Sequence, residues 1–189
     1  MPHGGSGRAG LRGCFQAKGI GPTPLAGDVR TWSYSHGCAW LEEALREAIY
    51  AELAAAELPH GALPVIAVLD TGLRFLLPSG ELGERRAILV RPAALRLAHF
   101  ERAPMFSAAR RERPERETNE TSDVDRVRDA VRAFHAATSG EPAPGVEVRD
   151  LADALVRVAE QAASGQVHRL CHGGYLTSNV TLNGELLDF

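Results

Sequence analysis

The sequence is nearly without lysine. Of its 189 residues, 21 are Lys or Arg, and Lys18 is the single lysine among them. Such a chain uses Arg wherever a generic positive charge suffices. Its one Lys is a candidate for a position that needs a compact point charge rather than a planar fork, with a surface lysine left by chance as the alternative. Cysteine is scarce too. Cys14, Cys38 and Cys171 are odd in number and form no CxxC pair. This argues against a disulfide framework and a zinc site, and the three read as cytosolic thiols. No apolar run reaches the roughly 18 residues of a membrane helix. The start, Met1-Pro2-His3-Gly4-Gly5, lacks the basic-then-apolar order of a secretory signal. Nor is there an excess of positive charge. The formal net charge is −3, which argues against a general nucleic-acid binder.

What is present suits one domain, of one lobe or two. Hydrophobic residues make up 44% of the chain, enough for a core and against global disorder. A strand is expected over 14–18, followed by a loop over 19–36 rich in Gly, Pro, Ser and Thr. Trp40, Leu41, Ala44, Leu45, Ala48, Ile49 and Leu53 recur at helical spacing and predict a helix over 38–57, ended by Pro59 and Gly61. Strands are expected at 63–69, 73–77 and 87–91, the first two separated by a turn at Asp70-Thr71-Gly72. The second half reads as mostly helical. A charged segment over 110–123 is expected to be a solvated loop. Ser122 is a candidate cap for a helix from Asp123 to about Ala137. After a Pro/Gly break at Gly140–Gly145, a helix is expected over 148–163. Residues 180–189 suggest a hairpin turning at Asn183-Gly184.

Three features could carry chemistry. Gly5-x-Gly7-x-x-Gly10 lets backbone amides approach a phosphate, although a flexible N-terminus is the plainer reading of those residues. Lys18 follows at the end of the first strand. In a nucleotide pocket such a Lys reaches phosphates and needs an acidic partner, for which the helix offers Glu42, Glu43, Glu47 and Glu52. His172 and Asn179 are spaced as H-x-x-x-x-x-x-N, the separation in a protein-kinase catalytic loop. Asp188-Phe189 then gives the first two letters of an Asp-Phe-Gly. Asn179 and Asp188 are hard oxygen donors suited to magnesium alongside phosphates. Each alone is also a common turn residue.

The ordered set resembles the SelO family, pseudokinases that transfer AMP to proteins, and within it the MchC-like branch linked to microcin gene clusters. Phe15-Gln16-Ala17-Lys18-Gly19-Ile20-Gly21-Pro22-Thr23-Pro24 resembles the family's Q-L-K-G-x-G-x-T-P. Ala44-Leu45-Arg46-Glu47-Ala48 resembles its S-I-R-E-F helix, and Arg96-Leu97-Ala98-His99-Phe100-Glu101 resembles R-F-G-H-F-E. The stretch from His172 to Asp188 resembles H-G-V-x-N-T-D-N followed by D-Y-G.

The resemblance implies an α+β, kinase-like two-lobed fold. Residues 1–101 would form the N-lobe, with its glycine loop, Lys strand, Glu helix and sheet, and 102–189 a partial, mostly helical C-lobe. It implies a cytoplasmic protein adenylyltransferase using ATP and Mg2+, with a protein or peptide as acceptor. Gly5, Gly7, Arg8, Lys18, Glu47, Arg91 and Arg96 would bind the nucleotide, with Lys18 paired to Glu47. Asn179 and Asp188 would hold the metal. Neither nucleic acid nor membrane is an expected partner.

The sequence also departs from the family. Ser178 stands where the family has the Asp presumed to be its general base, and a hydroxyl is a poor base near neutral pH. Cys38 stands where an Arg is usual. The sequence ends before the glycine of Asp-Phe-Gly and reads as a fragment or truncated frame. The alternative expectation is therefore a catalytically impaired, nucleotide-binding pseudokinase acting as a binding module, with a link to microcin maturation.

Overall fold

The computed structural model describes residues 9–22, 36–101, 123–138 and 146–189. Among these the fold is α+β, with a five-stranded antiparallel sheet and four helices. The chain divides into two units. The first comprises residues up to 57, 61–94 and 187–189, and the second comprises 58–60 and 95–186. Of the expected solvated segment over 110–123, Asp123 opens a helix, while residues 110–122, the Ser122 cap and the Pro/Gly break lie outside the described residues.

The first unit is built on strands β1 (Ala9–Arg12), β2 (Phe15–Lys18), β3 (Ala39–Trp40), β4 (Ala67–Leu76) and β5 (Leu82–Pro92). β5 pairs antiparallel with β2, β3 and β4, and β1 forms a hairpin with β2. In β5, Ala87, Leu89 and Arg91 are buried at alternate positions, so one face carries them all. Helix α1 (Leu41–Glu57) covers sheet residues with a stripe of Ala44, Glu47, Ala51 and Ala54. Leu45, Ile49 and Leu53, part of the apolar pattern that predicts this helix, are exposed. The alanines have little side chain to hold the helix away, and the buried stripe carries Glu47 with it.

Two expectations for the sheet need correction. The turn at Asp70-Thr71-Gly72 is not a turn between strands, because β4 runs through it as an irregularity in the β4–β5 register. Gly72 N–H donates to Asp70 Oδ1, and Thr71 Oγ1 donates to the Arg86 carbonyl. Residues with turn chemistry here make a bulge whose polar groups are locally satisfied. The reversal comes at 77–81, where Leu77 N–H donates to the Glu81 carbonyl. The strand expected from residue 63 starts at Ala67.

Gly19 follows β2 with φ +94, and a Cβ there would lie 2.7 Å from the Ala87 carbonyl oxygen and 2.8 Å from the Ala39 Cβ. Only glycine combines that backbone conformation with so close an approach to its neighbours.

The second unit contains α2 (Ala98–Glu101), α3 (Asp123–Thr138), α4 (Val146–Val167) and a short 3-10 turn over Thr177–Asn179. α4 is longer than the helix expected over 148–163. Phe134, Ala154 and Leu182 form the core with Leu97 and Phe100, and the rings of Phe100 and Phe134 meet edge to face at 5.2 Å. The Asn183-Gly184 turn forms: Thr181 N–H donates to the Glu185 carbonyl at 2.9 Å, and Gly184 has φ +86. It carries a single bridge, Val180 with Leu186, rather than an extended ladder.

Candidate functional site

Strand alternation places Gln16 and Lys18 on one face of β2. Across the ladder, Gln16 stands opposite Arg91 and Lys18 opposite Leu89. The sheet thus presents one Lys, one Arg and one Gln to the face that also buries Leu89. Glu47 comes to them from the buried stripe of α1, and Asp188 from the segment Leu187–Phe189, which belongs to the same unit.

The result is a cluster of four charges. Lys18 Nζ donates to Glu47 Oε2 at 2.5 Å and to Asp188 Oδ1 at 2.8 Å. Arg91 Nη1 donates to Glu47 Oε1 at 2.7 Å, and Arg91 Nη2 to Asp188 Oδ1 at 3.0 Å. Arg91 Nε donates to Gln16 Oε1 at 2.7 Å. Glu43 Oε1 lies farther from Lys18 Nζ, at 3.9 Å. Lys18, Glu47 and Arg91 are buried, whereas the Asp188 side chain keeps 22% of its exposure. Two cations meet the two carboxylates that hydrogen-bond to them, and Glu43 adds a third carboxylate at the edge. A buried charge is tolerable only with such pairing and hydrogen bonding.

Asp188 is also unusual in its backbone. Its φ is +62, in the left-handed region that only a few non-glycine residues enter, Asp and Asn among the more tolerant. Phe189 stacks on Tyr50 of α1, with ring centroids 5.9 Å apart. The Asp is thus flanked by an aromatic contact and held by two cations.

The remaining expected residues are not part of the first unit's described residues. Gly5, Gly7 and Arg8 are outside the described residues. Arg96, Ser178 and Asn179 belong to the second unit. There Arg96 Nη1 donates to the Ser178 carbonyl at 2.7 Å, and Arg96 forms an antiparallel bridge with Thr181. Ser178 Oγ donates to Asn179 Oδ1 at 3.2 Å, while Asn179 Nδ2 donates to the Gly174 carbonyl at 3.1 Å. The His172-to-Asn179 stretch is therefore folded on itself around the Asn amide. Gly174 N–H donates to His172 Nδ1 at 3.2 Å, adding to that order.

Sequence reading misses two features. Gln16 lies within the stretch from Phe15 to Pro24, where nothing local marks it as the partner of Arg91. The strand register that pairs them joins residues 75 apart. The second is a buried polar group in the second unit, where His135 Nδ1 and Asp150 Oδ2 lie 2.5 Å apart and Thr138 Oγ1 donates to the same Asp oxygen at 3.1 Å. His135 sits in a helical pattern with no nearby motif, so nothing local marks it.

A cavity of about 480 Å³ lies beside α1, lined by Leu45, Ile49, Tyr50, Arg46, Arg74 and Arg85 among others, and none of the four clustered charges lines it. Among the described residues no group of three or more His, Cys, Asp or Glu side chains is arranged to hold a metal ion. A magnesium held with phosphates needs fewer protein ligands than such a group, because it retains waters and uses one or two carboxylates. A carboxylate that reaches solvent beside a buried Lys fits that demand, and Asp188 is such a carboxylate. No helix among the described residues is long and apolar enough to cross a membrane. No family model matches the chain, and neither a curated protein nor a solved structure matches it.

Proposed function

We propose that this chain is a SelO-like, ATP- and magnesium-dependent nucleotidyltransferase that moves AMP onto protein hydroxyl groups, on a kinase-like two-lobed fold. One observation carries the reading. The sole lysine, a helix glutamate and the aspartate of an Asp-Phe pair share hydrogen bonds in one cluster. A strand Lys, a helix Glu and an Asp of this kind are the parts that kinase-like sites use to hold phosphates and metal.

In this reading Lys18 binds phosphates and Glu47 orients it. Asp188, with its part-exposed carboxylate, is the metal donor of the first unit. Asn179, Arg96 and the Gly5–Arg8 stretch enter the proposal from sequence resemblance alone. Magnesium, when bound, neutralises charge on the transferring group and on pyrophosphate. The acceptor oxygen bonds to the α-phosphorus, the bond from that phosphorus to the β-bridging oxygen breaks, and pyrophosphate leaves. The hydroxyl proton goes to solvent.

The second reading is a nucleotide-binding module without turnover. Ser178 favours it: a hydroxyl stands at the place of a base, and its proton is directed at Asn179.

The deciding experiment incubates the chain with ATP labelled at either the α- or the γ-phosphate, and with candidate proteins. Transfer of α-label alone supports AMP transfer. Transfer of γ-label makes the protein a kinase. Nucleotide binding without any transfer supports the module.

A further inference from the structure

The expectation for Arg91 is contact with nucleotide phosphates. Its surroundings point elsewhere. The guanidinium is among the most deeply buried groups of the chain. All three of its nitrogens are engaged, with Nε on Gln16, Nη1 on Glu47 and Nη2 on Asp188. A planar guanidinium has donors in fixed directions, so fixing one edge fixes the other two. Gln16 supplies that fixed edge. It sits on a strand, directly across the ladder from Arg91, and its amide oxygen accepts from Nε at 2.7 Å.

We infer that Gln16 is a positioning residue of this site: through Arg91 it sets where the carboxylates of Glu47 and Asp188 meet Lys18. Arg91 is then a buried strut between two acids. The consequence falls mainly on Asp188. Its backbone is in the left-handed region, and its side chain is the most exposed of the four charges. Its Oδ1 accepts from both cations, so a guanidinium free to turn in its plane would take one of those two donors from that oxygen. Glu47 is less dependent, because it lies on a regular helix and accepts from Lys18 through its other oxygen. Gln16 itself is only half-buried, so changing its amide disturbs little packing.

The inference about magnesium rests on the nucleotide reading above, whereas the geometry does not, and two measurements separate them. The first uses the single lysine. A chain labelled with 15N only at the lysine Nζ gives one side-chain signal, that of Lys18. Gln16→Met removes the acceptor at nearly constant size, and Gln16→Glu keeps it. The Met variant is expected to move the Lys18 signal in the direction that Asp188→Asn moves it, and the Glu variant to leave it near wild type. A Lys18 signal that moves in Asp188→Asn but stays put in Gln16→Met overturns the proposal. If the Met variant fails to fold, Gln16→Ala replaces it.

The second measurement is the magnesium concentration at half-saturation of ATP binding by the full chain. It is expected to rise about tenfold in the Met variant, the size of one lost hydrogen bond to a charged group, and to return in the Glu variant. A merely structural role would lower the melting temperature without changing the magnesium requirement, and that result overturns the positioning of Asp188. If the wild type binds no ATP, the nucleotide reading falls, while the lysine signal still decides the role of Gln16.

Discussion

Glu47 and Arg91 face each other at 2.7 Å, Oε1 to Nη1, with both side chains almost wholly removed from water. They come from a helix and a strand 44 residues apart. A buried pair of this kind contributes little net stability against an apolar pair of the same shape, but losing one partner strands the other's charge.

Replacing Glu47 by Gln is therefore expected to be costly. Lys18 and Arg91 would be left sharing Asp188 as their main counter-charge. The expected loss is about 3–5 kcal/mol in urea unfolding at pH 7. A loss below about 1 kcal/mol would mean that water reaches the cations.

ATP with magnesium is expected to raise the melting temperature of the wild-type chain. At ligand concentrations near 100 times Kd the added stability is about 2.7 kcal/mol. Lys18→Ala should abolish the shift. Asp188→Asn should abolish only the part that depends on magnesium, because Asn tolerates the same left-handed backbone and removes only the charge. A thermal-shift titration with and without chelator reads both. An undiminished shift in Lys18→Ala would displace the nucleotide from this cluster.

Gly19→Ala is expected to destabilise the first unit by about 2–3 kcal/mol, through overlap with the Ala87 carbonyl and Ala39 and through the positive φ. Gly13→Ala is the control, since its φ is also positive but a Cβ there meets nothing within 4 Å. The difference between the two denaturation midpoints isolates the steric part.

Tyr175 gives an alkaline signature. Partial burial pushes its phenol above the ordinary value near 10, and the neighbouring Cys171 adds to the rise. The unfolded chain then ionises this Tyr at lower pH than the folded one does. The contribution to stability is intact below about pH 10 and is lost as pH climbs through the raised folded value. Tyr175→Phe should remove this part of the alkaline decline. It should also cost about 1 kcal/mol at neutral pH, through the lost hydrogen bond to the Gln161 carbonyl. Unfolding curves between pH 8 and 11 test both.

How much of this was legible in the sequence differs from residue to residue. Lys18 stood out by composition, and the Glu-bearing helix by its period. Of Glu42, Glu43, Glu47 and Glu52, the family resemblance singles out Glu47, and the buried stripe of α1 gives the physical reason: Glu47 alone of the four lies in it, while Glu43 stays at 3.9 Å from Lys18. The stripe was hard to see because its other members are alanines, while the larger Leu45, Ile49 and Leu53 dominate the hydrophobic pattern and are exposed. Arg91 was legible as a cation but not as a strut, since that role depends on the register between β2 and β5. The Asp70-Thr71-Gly72 signal named the right local chemistry and the wrong topology: those residues satisfy their polar groups inside one strand. Asp150 and His135 come together through helix packing, and no local spacing announces that.

The burial of Lys18 has a consequence for protein chemistry. As the chain's sole lysine, it leaves no side-chain amine facing solvent. Acetylating, cross-linking or biotinylating reagents that seek ε-amines find none on the native surface. Any ε-modification is a record that the cluster has opened, and its rate, followed by mass spectrometry, serves as a built-in clock of that opening.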